Sequence, residues 1–163
     1  DALWRSERMS RRCLVAAVAI PNLQLSEEAW AQSMHAKVLA TLAARTRRIV
    51  GFRNVLGLYN ERCFLLAISA MQDPSRSELV VEHILTFLSV GVGEEPNRFL
   101  PELGIGVIEI ADGPRSAPLY TILRRAEQLA LQASTLPQRV LRERLDPDAE
   151  VAVPMSGYQV TMP

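Results

Sequence analysis

Eight consecutive apolar residues, Cys13 to Ile20, set the first constraint on how this chain folds. A strand with one face in water alternates apolar and polar residues, whereas a strand covered on both faces is apolar throughout. The run is too short to cross a membrane, because a transmembrane helix needs about 20 apolar residues. It therefore predicts a central strand that is buried on both faces of a sheet.

The remaining apolar residues fall into segments with either strand or helix periodicity. Helical stripes repeat every three or four residues, and the strands are short apolar runs that end at turn residues. The predicted elements in chain order are a strand over 13–20, a helix from Ser26 to Arg48, strands over 49–59 and 63–70, a helix that opens at Pro74, a strand over 103–110, and a helix from Ser116 to Ala133.

This order, β-α-β-β-α-β-α, is typical of an α+β fold of the ferredoxin-like and nucleotidyl-cyclase type, with helices packed on one face of the sheet. We expect the domain to occupy residues 13–134. Residues 1–12 are charged and predict a linker helix, and residues 135–163 predict an irregular tail. Within that tail, Val151–Val153 and Tyr158–Thr161 could form one hairpin.

Composition excludes several classes of function. The chain has 163 residues with 18 basic and 18 acidic side chains, so its formal net charge is zero. Nucleic-acid binding and membrane-surface binding usually require a basic patch, so we expect neither partner. The two cysteines, Cys13 and Cys63, lie in apolar runs without a CxxC pair, which predicts reduced core thiols and no metal site.

Four stretches of the chain carry a more specific resemblance. Gly57-Leu-Tyr-Asn-Glu-Arg-Cys-Phe-Leu-Leu-Ala-Ile68 is similar to the pattern R-x-G-G-D-E-F-x-x-x-L. The others are Leu14–Ile20, Lys37–Arg45, and Leu103–Ile108 taken with Leu123–Ala133, which is similar to S-I-G-V-A…L-L-x-x-A-D-x-A-L-Y-x-A-K. By these stretches, residues 13–134 resemble the GGDEF (diguanylate cyclase) domain.

The resemblance implies where catalytic residues would lie. In the family, carboxylates at the end of the first strand and in the signature turn hold two metal ions that bind the triphosphate. The corresponding signature positions here are Asn60 and Glu61 for the glycines, Arg62 and Cys63 for the acids, and Phe64. No Asp or Glu occurs from Cys13 to Leu25. We therefore expect a degenerate domain that is not an enzyme, with no catalytic residues, no metal and no cofactor.

Many domains of this family also bind cyclic di-GMP at an inhibitory R-x-x-D motif. That motif is absent here, because Gly51 and Asn54 occupy its two positions. Several basic residues lie nearby, and arginine is suited to bidentate contacts with phosphate. Candidate dinucleotide-binding residues are therefore Arg45, Arg47, Arg48, Arg53 and Asn54. The alternative is a basic helix end followed by one solvated charge on a strand.

The resemblance implies two hypotheses for function in bacterial cyclic di-GMP signalling. In the first, the domain is a regulatory module that has kept the fold and acts by binding a protein partner or by forming a homodimer. In the second, it is a receptor for cyclic di-GMP. Either role would place the domain in the cytoplasm, alone or as part of a membrane-anchored larger protein. The sequence does not specify the partner, the upstream domain or the oligomeric state.

Overall fold

The computed structural model describes residues 12–23, 29–51, 54–71, 74–110 and 118–145. Within these residues the chain forms five strands and three helices. They are β1 (Arg12–Ala19), α1 (Ala29–Val50), β2 (Val55–Asn60), β3 (Cys63–Met71), α2 (Pro74–Leu88), β4 (Gly104–Ile110), α3 (Leu119–Ala133) and β5 (Val140–Leu145). The predicted order β-α-β-β-α-β-α is confirmed, and one further strand follows it.

The five strands form one sheet in the order β2-β3-β1-β4-β5. β1 is central and runs antiparallel to both of its neighbours, β3 and β4. β2 is antiparallel to β3, and β5 is parallel to β4. Every residue from Cys13 to Ile20 is buried, as the apolar run predicts.

The helices lie on both faces of the sheet, so the prediction that they pack on one face is wrong. Leu14, Ala16 and Val18 share a core with α1 and α2. Val15 and Ala17, on the opposite face of β1, share a second core with α3. The physical reason lies in β1 itself: a strand that is apolar on both faces must be covered on both faces.

Two glycines of β4 allow α3 to approach the sheet closely. A Cβ atom at Gly106 would lie 2.3 Å from the carbonyl oxygen of Ala126, and one at Gly104 would lie 2.0 Å from that of Ala130. Any side chain at either position would collide with the backbone of the helix. The two glycines therefore set the packing distance between β4 and α3.

The strand β5 lies in the segment that the sequence predicts to be an irregular tail from residue 135. This boundary is wrong, because Val140–Leu145 pairs in parallel with β4 over six residue pairs. Three consecutive charged residues, Arg142, Glu143 and Arg144, interrupt the apolar pattern from which a strand is recognised. The guanidinium of Arg125 on α3 forms a bidentate ion pair with the carboxylate of Glu143. This ion pair joins β5 to the helix.

The first helix is longer at its C-terminus than the sequence predicts. Ile49 and Val50 belong to α1, although the sequence analysis assigns them to a strand. The helix ends at Gly51, whose φ of +75° is the left-handed conformation that glycine adopts most easily. The following strand therefore begins only at Val55.

Several predictions fall outside the described residues. These are the linker helix over 1–11, the predicted starts of two helices at Ser26 and Ser116, and the hairpin between Val151–Val153 and Tyr158–Thr161. Arg12, assigned to the linker by sequence, is the first residue of β1. In the described part of the chain, no helix combines the length and the apolar character that a membrane span needs.

Candidate functional site at the tip of the hairpin

The end of β1 and the turn between β2 and β3 meet at one end of the sheet. Ala19 lies opposite Cys63 in the register of β1 and β3. The backbone N–H of Ile20 donates a hydrogen bond of 2.8 Å to the carbonyl oxygen of Arg62. The two segments to which the resemblance assigns metal ligands are thus neighbours. We call Asn60–Cys63 the hairpin tip.

The hairpin tip is a tight turn, and its predicted position between two antiparallel strands is confirmed. Glu61 and Arg62 form the turn and are exposed. The side-chain oxygen of Asn60 accepts a hydrogen bond of 2.9 Å from the backbone N–H of Arg62. Asparagine favours turns because its side chain can satisfy the backbone two residues later. Asn60 therefore stabilises the turn from within.

The side-chain amide of Asn60 also binds α3. Its nitrogen donates a hydrogen bond of 2.7 Å to the carboxylate of Glu127. The register of β2 against β3 shifts between Leu58 and Asn60, which marks an irregularity around Tyr59. A bulge re-aims the side chains beside it. Consequently both Tyr59, which packs on the α3 side of the sheet, and Asn60 contact that side.

Cys63, at the position of a family acid, is a buried thiol. Its side chain is 2% exposed. Burial, and secondarily the nearby carboxylate of Glu127, raise the pKa of Cys63 to about 12. Both effects disfavour the thiolate, which is the form that binds metals and acts as a nucleophile. Cys63 is therefore a neutral core residue at physiological pH.

Phe64, the signature phenylalanine, points to the other face of the sheet from Cys63. It is buried in the core formed with α1 and α2. Tyr59 lies next to Glu127, and its pKa is raised first by burial and then by that carboxylate. The residues around the hairpin tip thus divide between the two cores.

At the end of β1, Asn22 holds a distant loop. Its amide nitrogen donates a hydrogen bond of 2.9 Å to the carbonyl oxygen of Leu100, and its oxygen accepts one of 2.9 Å from the N–H of Glu102. Both polar groups of the side chain are thereby used. Asn22 positions the segment that leads into β4 and presents no carboxylate.

These side chains do not fit the pair of metal ions that the resemblance implies. Divalent cations with phosphate ligands are held mainly by carboxylate oxygens. Here the two acid positions carry a guanidinium, Arg62, and a neutral thiol, Cys63. Glu127 is hydrogen-bonded to Asn60, and Glu61 lies on the exposed turn. Over the described residues, no three His, Cys, Asp or Glu side chains lie close enough to hold a metal ion.

The arginine side chains near the end of α1 contact different segments of the chain and do not converge on one site. Arg45 reaches the C-terminus of α2, where its guanidinium donates hydrogen bonds of 2.5 and 2.9 Å to the carbonyl oxygens of Val90 and Gly91. A longer contact of 3.5 Å joins the guanidinium to the carbonyl oxygen of Phe87 in the last turn of α2. Arg45 therefore ties the end of α2, and the loop after it, to α1.

Arg47 instead contacts the loop after α1. Its guanidinium donates hydrogen bonds of 3.1 and 2.8 Å to the carbonyl oxygens of Gly51 and Asn54. The amide nitrogen of Asn54 donates one of 2.6 Å to the carbonyl oxygen of Val50. Arg48 is exposed, and Arg53 lies outside the described residues. Of the five candidate residues, the structure thus brings Arg47 and Asn54 together and directs Arg45 elsewhere.

Sequence reasoning missed two residues of the site, Glu127 and Asn22. Glu127 was recognised only as part of the last helix, and Asn22 only as a residue after the first strand. Their partners are 67 and about 80 positions away in the chain. Two indications are available for Glu127: it is an acidic residue beside the apolar stripe of α3, and it falls on the aspartate of the pattern that Leu123–Ala133 resembles.

The sequence matches no family model and no curated protein. The fold, in contrast, is that of the GGDEF diguanylate cyclase domain. The structure is similar to the diguanylate cyclase SiaD of Pseudomonas aeruginosa, solved with its activator SiaC, with a TM-score of 0.71 and 15% identity over 87% of this chain. The aligned region spans 54% of the SiaD chain, so this chain corresponds to only about half of that protein.

Two further structures match over most of both chains. The active GGEEF domain of a diguanylate cyclase from Vibrio cholerae has a TM-score of 0.69 and 17% identity, covering 90% of this chain and 89% of that one. The GGDEF domain of DgcB from Caulobacter crescentus, solved with c-di-GMP, has a TM-score of 0.67 and 16% identity, covering 86% and 81%. At these identities the likeness establishes the fold alone.

Proposed function

We propose that this chain is a catalytically inactive, regulatory GGDEF-type domain in cyclic di-GMP signalling, and that it acts by binding another protein or a second copy of itself. One observation carries the proposal. At the hairpin tip and the end of β1, Asn60 and Asn22 are engaged in structural hydrogen bonds, Cys63 is buried and neutral, and Glu61, the carboxylate of the tip, lies exposed on the turn. Asn60 binds Glu127, Asn22 binds the loop before β4, and Cys63 keeps its proton.

The charge of Arg62 also argues against a metal ion at this site. Arg62 carries a permanent positive charge at a position where the family holds a cation, and like charges repel. The fold around this site is nevertheless complete, with two cores and a regular sheet. A domain that keeps the scaffold without the chemistry is suited to binding. SiaD was solved with an activator protein, which supports a protein partner for this fold.

The test is incubation of the purified chain with GTP and either magnesium or manganese, followed by chromatography for cyclic di-GMP. We expect no product above that of buffer alone. A purified active diguanylate cyclase in the same buffer is the positive control. Turnover that is abolished by substitution within Asn60–Cys63 would refute the proposal, because it would show that the degenerate signature is catalytic.

A second candidate function is a receptor for cyclic di-GMP at the end of α1. The observation that favours it is the proximity of Arg47 and Asn54, with Arg48 exposed on the next helical position. The structure of the DgcB domain with c-di-GMP supports the ligand class for this fold. The amide of Asn54 accepts weaker hydrogen bonds than an aspartate would, by roughly 1–2 kcal/mol, which is about tenfold or more in affinity.

Isothermal titration with cyclic di-GMP tests the receptor function. We expect binding no tighter than micromolar, and Arg48→Ala should weaken any binding that occurs. Glu61→Ala, at the other end of β2, is the matched control and should leave it unchanged. Tight binding that is insensitive to Arg48→Ala would place the ligand elsewhere on the domain.

A further inference from the structure

No described strand pairs with the outer edge of β2. Among the described residues, β2 pairs only with β3, so one row of its backbone N–H and C=O groups faces outward. Two of its apolar side chains are largely in water: Val55 is 49% exposed and Leu58 is 65% exposed. A strand edge of this kind is a template for pairing with another strand.

The opposite edge strand of the same sheet, β5, is protected against pairing with another strand. β5 carries three consecutive charged residues, Arg142, Glu143 and Arg144. Charged side chains prevent edge-to-edge pairing because their charges would lose water in the new sheet. β2, with the sequence Val-Leu-Gly-Leu-Tyr-Asn, has neither charge nor proline, and its only irregularity lies between Leu58 and Asn60. The edge at β5 is therefore protected by charge, whereas the edge at β2 is not.

We propose that β2 pairs antiparallel with β2 of a second copy of this chain, about a two-fold axis that is perpendicular to the sheet and passes through Gly57. The inference rests on the proposed regulatory function and names its partner. The result is one continuous sheet across the dimer, with α3 of both copies on the same face. A two-fold interface of this kind uses the same surface on both subunits and closes after two copies.

The register about Gly57 matches apolar side chains with each other. Leu56 lies opposite Leu58 of the second copy, and Val55 lies opposite Tyr59 of the second copy. Aliphatic pairs and pairs of an aromatic with a β-branched residue are favourable across strands. A register centred on Leu58 would instead place Val55 opposite the charged Glu61. Gly57 at the axis adds no side chain that could obstruct the approach of the two backbones.

The exposed carboxylate of Glu61, directly after β2, favours antiparallel over parallel pairing. An in-register parallel pairing would place Glu61 beside Glu61 of the second copy, and like charges next to each other across strands are destabilising.

The length of β2 limits the strength of the dimer. Stable protein interfaces bury about 1,200–2,000 Å² in total, and smaller ones are weak and transient. An interface built on one six-residue strand from each copy falls at or below the lower limit. We therefore expect a reversible dimer that forms as the concentration rises.

Sedimentation velocity of the full chain over increasing concentration, up to millimolar, measures this equilibrium. We expect the sedimentation coefficient to rise from that of a monomer towards that of a dimer. Leu58→Lys places a charge on the pairing edge and should weaken association at least tenfold. Leu100→Lys is the matched control, because Leu100 is equally exposed (63%) but lies outside β2. A chain that stays monomeric, or a dimer that Leu58→Lys does not weaken, would overturn the inference.

Oxidative cross-linking tests the register. A Cβ atom at Gly57 has no heavy atom within 4 Å, so Gly57→Cys fits the monomer. Opposite residues in an antiparallel pair have Cα atoms about 4.5–5.5 Å apart, which is within disulfide reach. Val55→Cys is the control, because its two copies would be about 13 Å apart along the strands. We expect a disulfide dimer only for Gly57→Cys. Cross-linking of Val55→Cys with equal or greater yield would overturn this register.

The two proposals fail in different experiments. Formation of cyclic di-GMP from GTP would refute the inactive function and leave the dimer measurements unaffected. A monomeric chain without turnover would refute only the β2 dimer, and a different protein would then be the partner of the regulatory domain.

Discussion

Asn60 and Glu127, which are 67 positions apart in the chain, are joined by a hydrogen bond of 2.7 Å from the side-chain amide to the carboxylate. The same asparagine accepts a hydrogen bond from Arg62 within the turn. One side chain thus stabilises the hairpin and fixes it to α3. Where the resemblance places a glycine that would let a nucleotide approach, this chain has a structural contact.

The first prediction concerns this contact. Asn60→Ala removes both hydrogen bonds and leaves the Glu127 carboxylate unpaired on that side. Because hydrogen bonds to charged groups contribute about 1.5–3 kcal/mol, we expect the free energy of unfolding to fall by about 2 kcal/mol. Urea denaturation measures the change, and Glu61→Ala on the exposed turn is the control, with an expected change below about 0.5 kcal/mol.

A double-mutant cycle isolates the pair. If Asn60 and Glu127 stabilise each other, Asn60→Ala should cost much less in a Glu127→Ala background than in the wild type. Additive effects of the two substitutions would contradict the assignment of stability to this hydrogen bond.

The second prediction concerns the close approach of α3 to β4. Gly106→Ala would place a Cβ atom 2.3 Å from the carbonyl oxygen of Ala126 and 2.5 Å from the backbone nitrogen of Ala130. Since these are backbone atoms, the helix must move. Overpacking of this kind costs about 1–3 kcal/mol of stability. Thermal unfolding followed by circular dichroism should show a lower Tm for Gly106→Ala.

Gly57→Ala is the matched control for that experiment, because its Cβ atom meets nothing within 4 Å. We expect its Tm to stay close to that of the wild type. Equal losses at both glycines would contradict the assignment of the effect to the contact between β4 and α3.

The third prediction concerns pH. Burial raises the pKa of the Cys63 thiol to about 12 in the folded chain, from an ordinary value of 9.0. Above pH 9 the unfolded state loses this proton first, so the folded state is progressively destabilised as the pH rises from 9 towards 12. The slope from one such group is at most roughly 1.4 kcal/mol per pH unit.

Denaturant unfolding of the wild type and of Cys63→Ala across this range measures the effect. The free energy of unfolding of the variant should fall less steeply with rising pH than that of the wild type. This holds whatever the stability of the variant at neutral pH. Identical slopes for the two proteins would show that Cys63 does not hold its proton in the folded state. Because both cysteines are buried and unbridged, a thiol reagent should label the native wild type much more slowly than the unfolded chain.

The fourth prediction concerns the end of the domain. A chain that ends at residue 134, the boundary expected from sequence, lacks β5 and exposes the outer edge of β4. Val140 and Leu141, which pack against the two cores, would also be lost. We expect that chain to aggregate or to unfold at a clearly lower urea concentration than a chain that ends at Leu145. Equal stability of the two would show that β5 is dispensable.

Local sequence determined the order of the elements in this protein. The apolar run Cys13–Ile20 specifies a strand that is buried on both faces, and the stripe on α3 specifies a helix with one apolar side. Such patterns need only residues within a few positions of each other, so they can be recognised without the fold. The turn at Asn60–Arg62 was recognised for the same reason.

Tertiary structure decided the features that join distant segments. Ile49 and Val50 favour a strand by their type, but α1 includes them and ends at the left-handed Gly51. β5 has too many charges to be recognised as a strand, and it exists because β4 offers an edge beside it. Asn60 meets Glu127 only after α3 has crossed the sheet on the side opposite α1 and α2. These contacts depend on where whole elements pack, and no local pattern in the chain encodes that position.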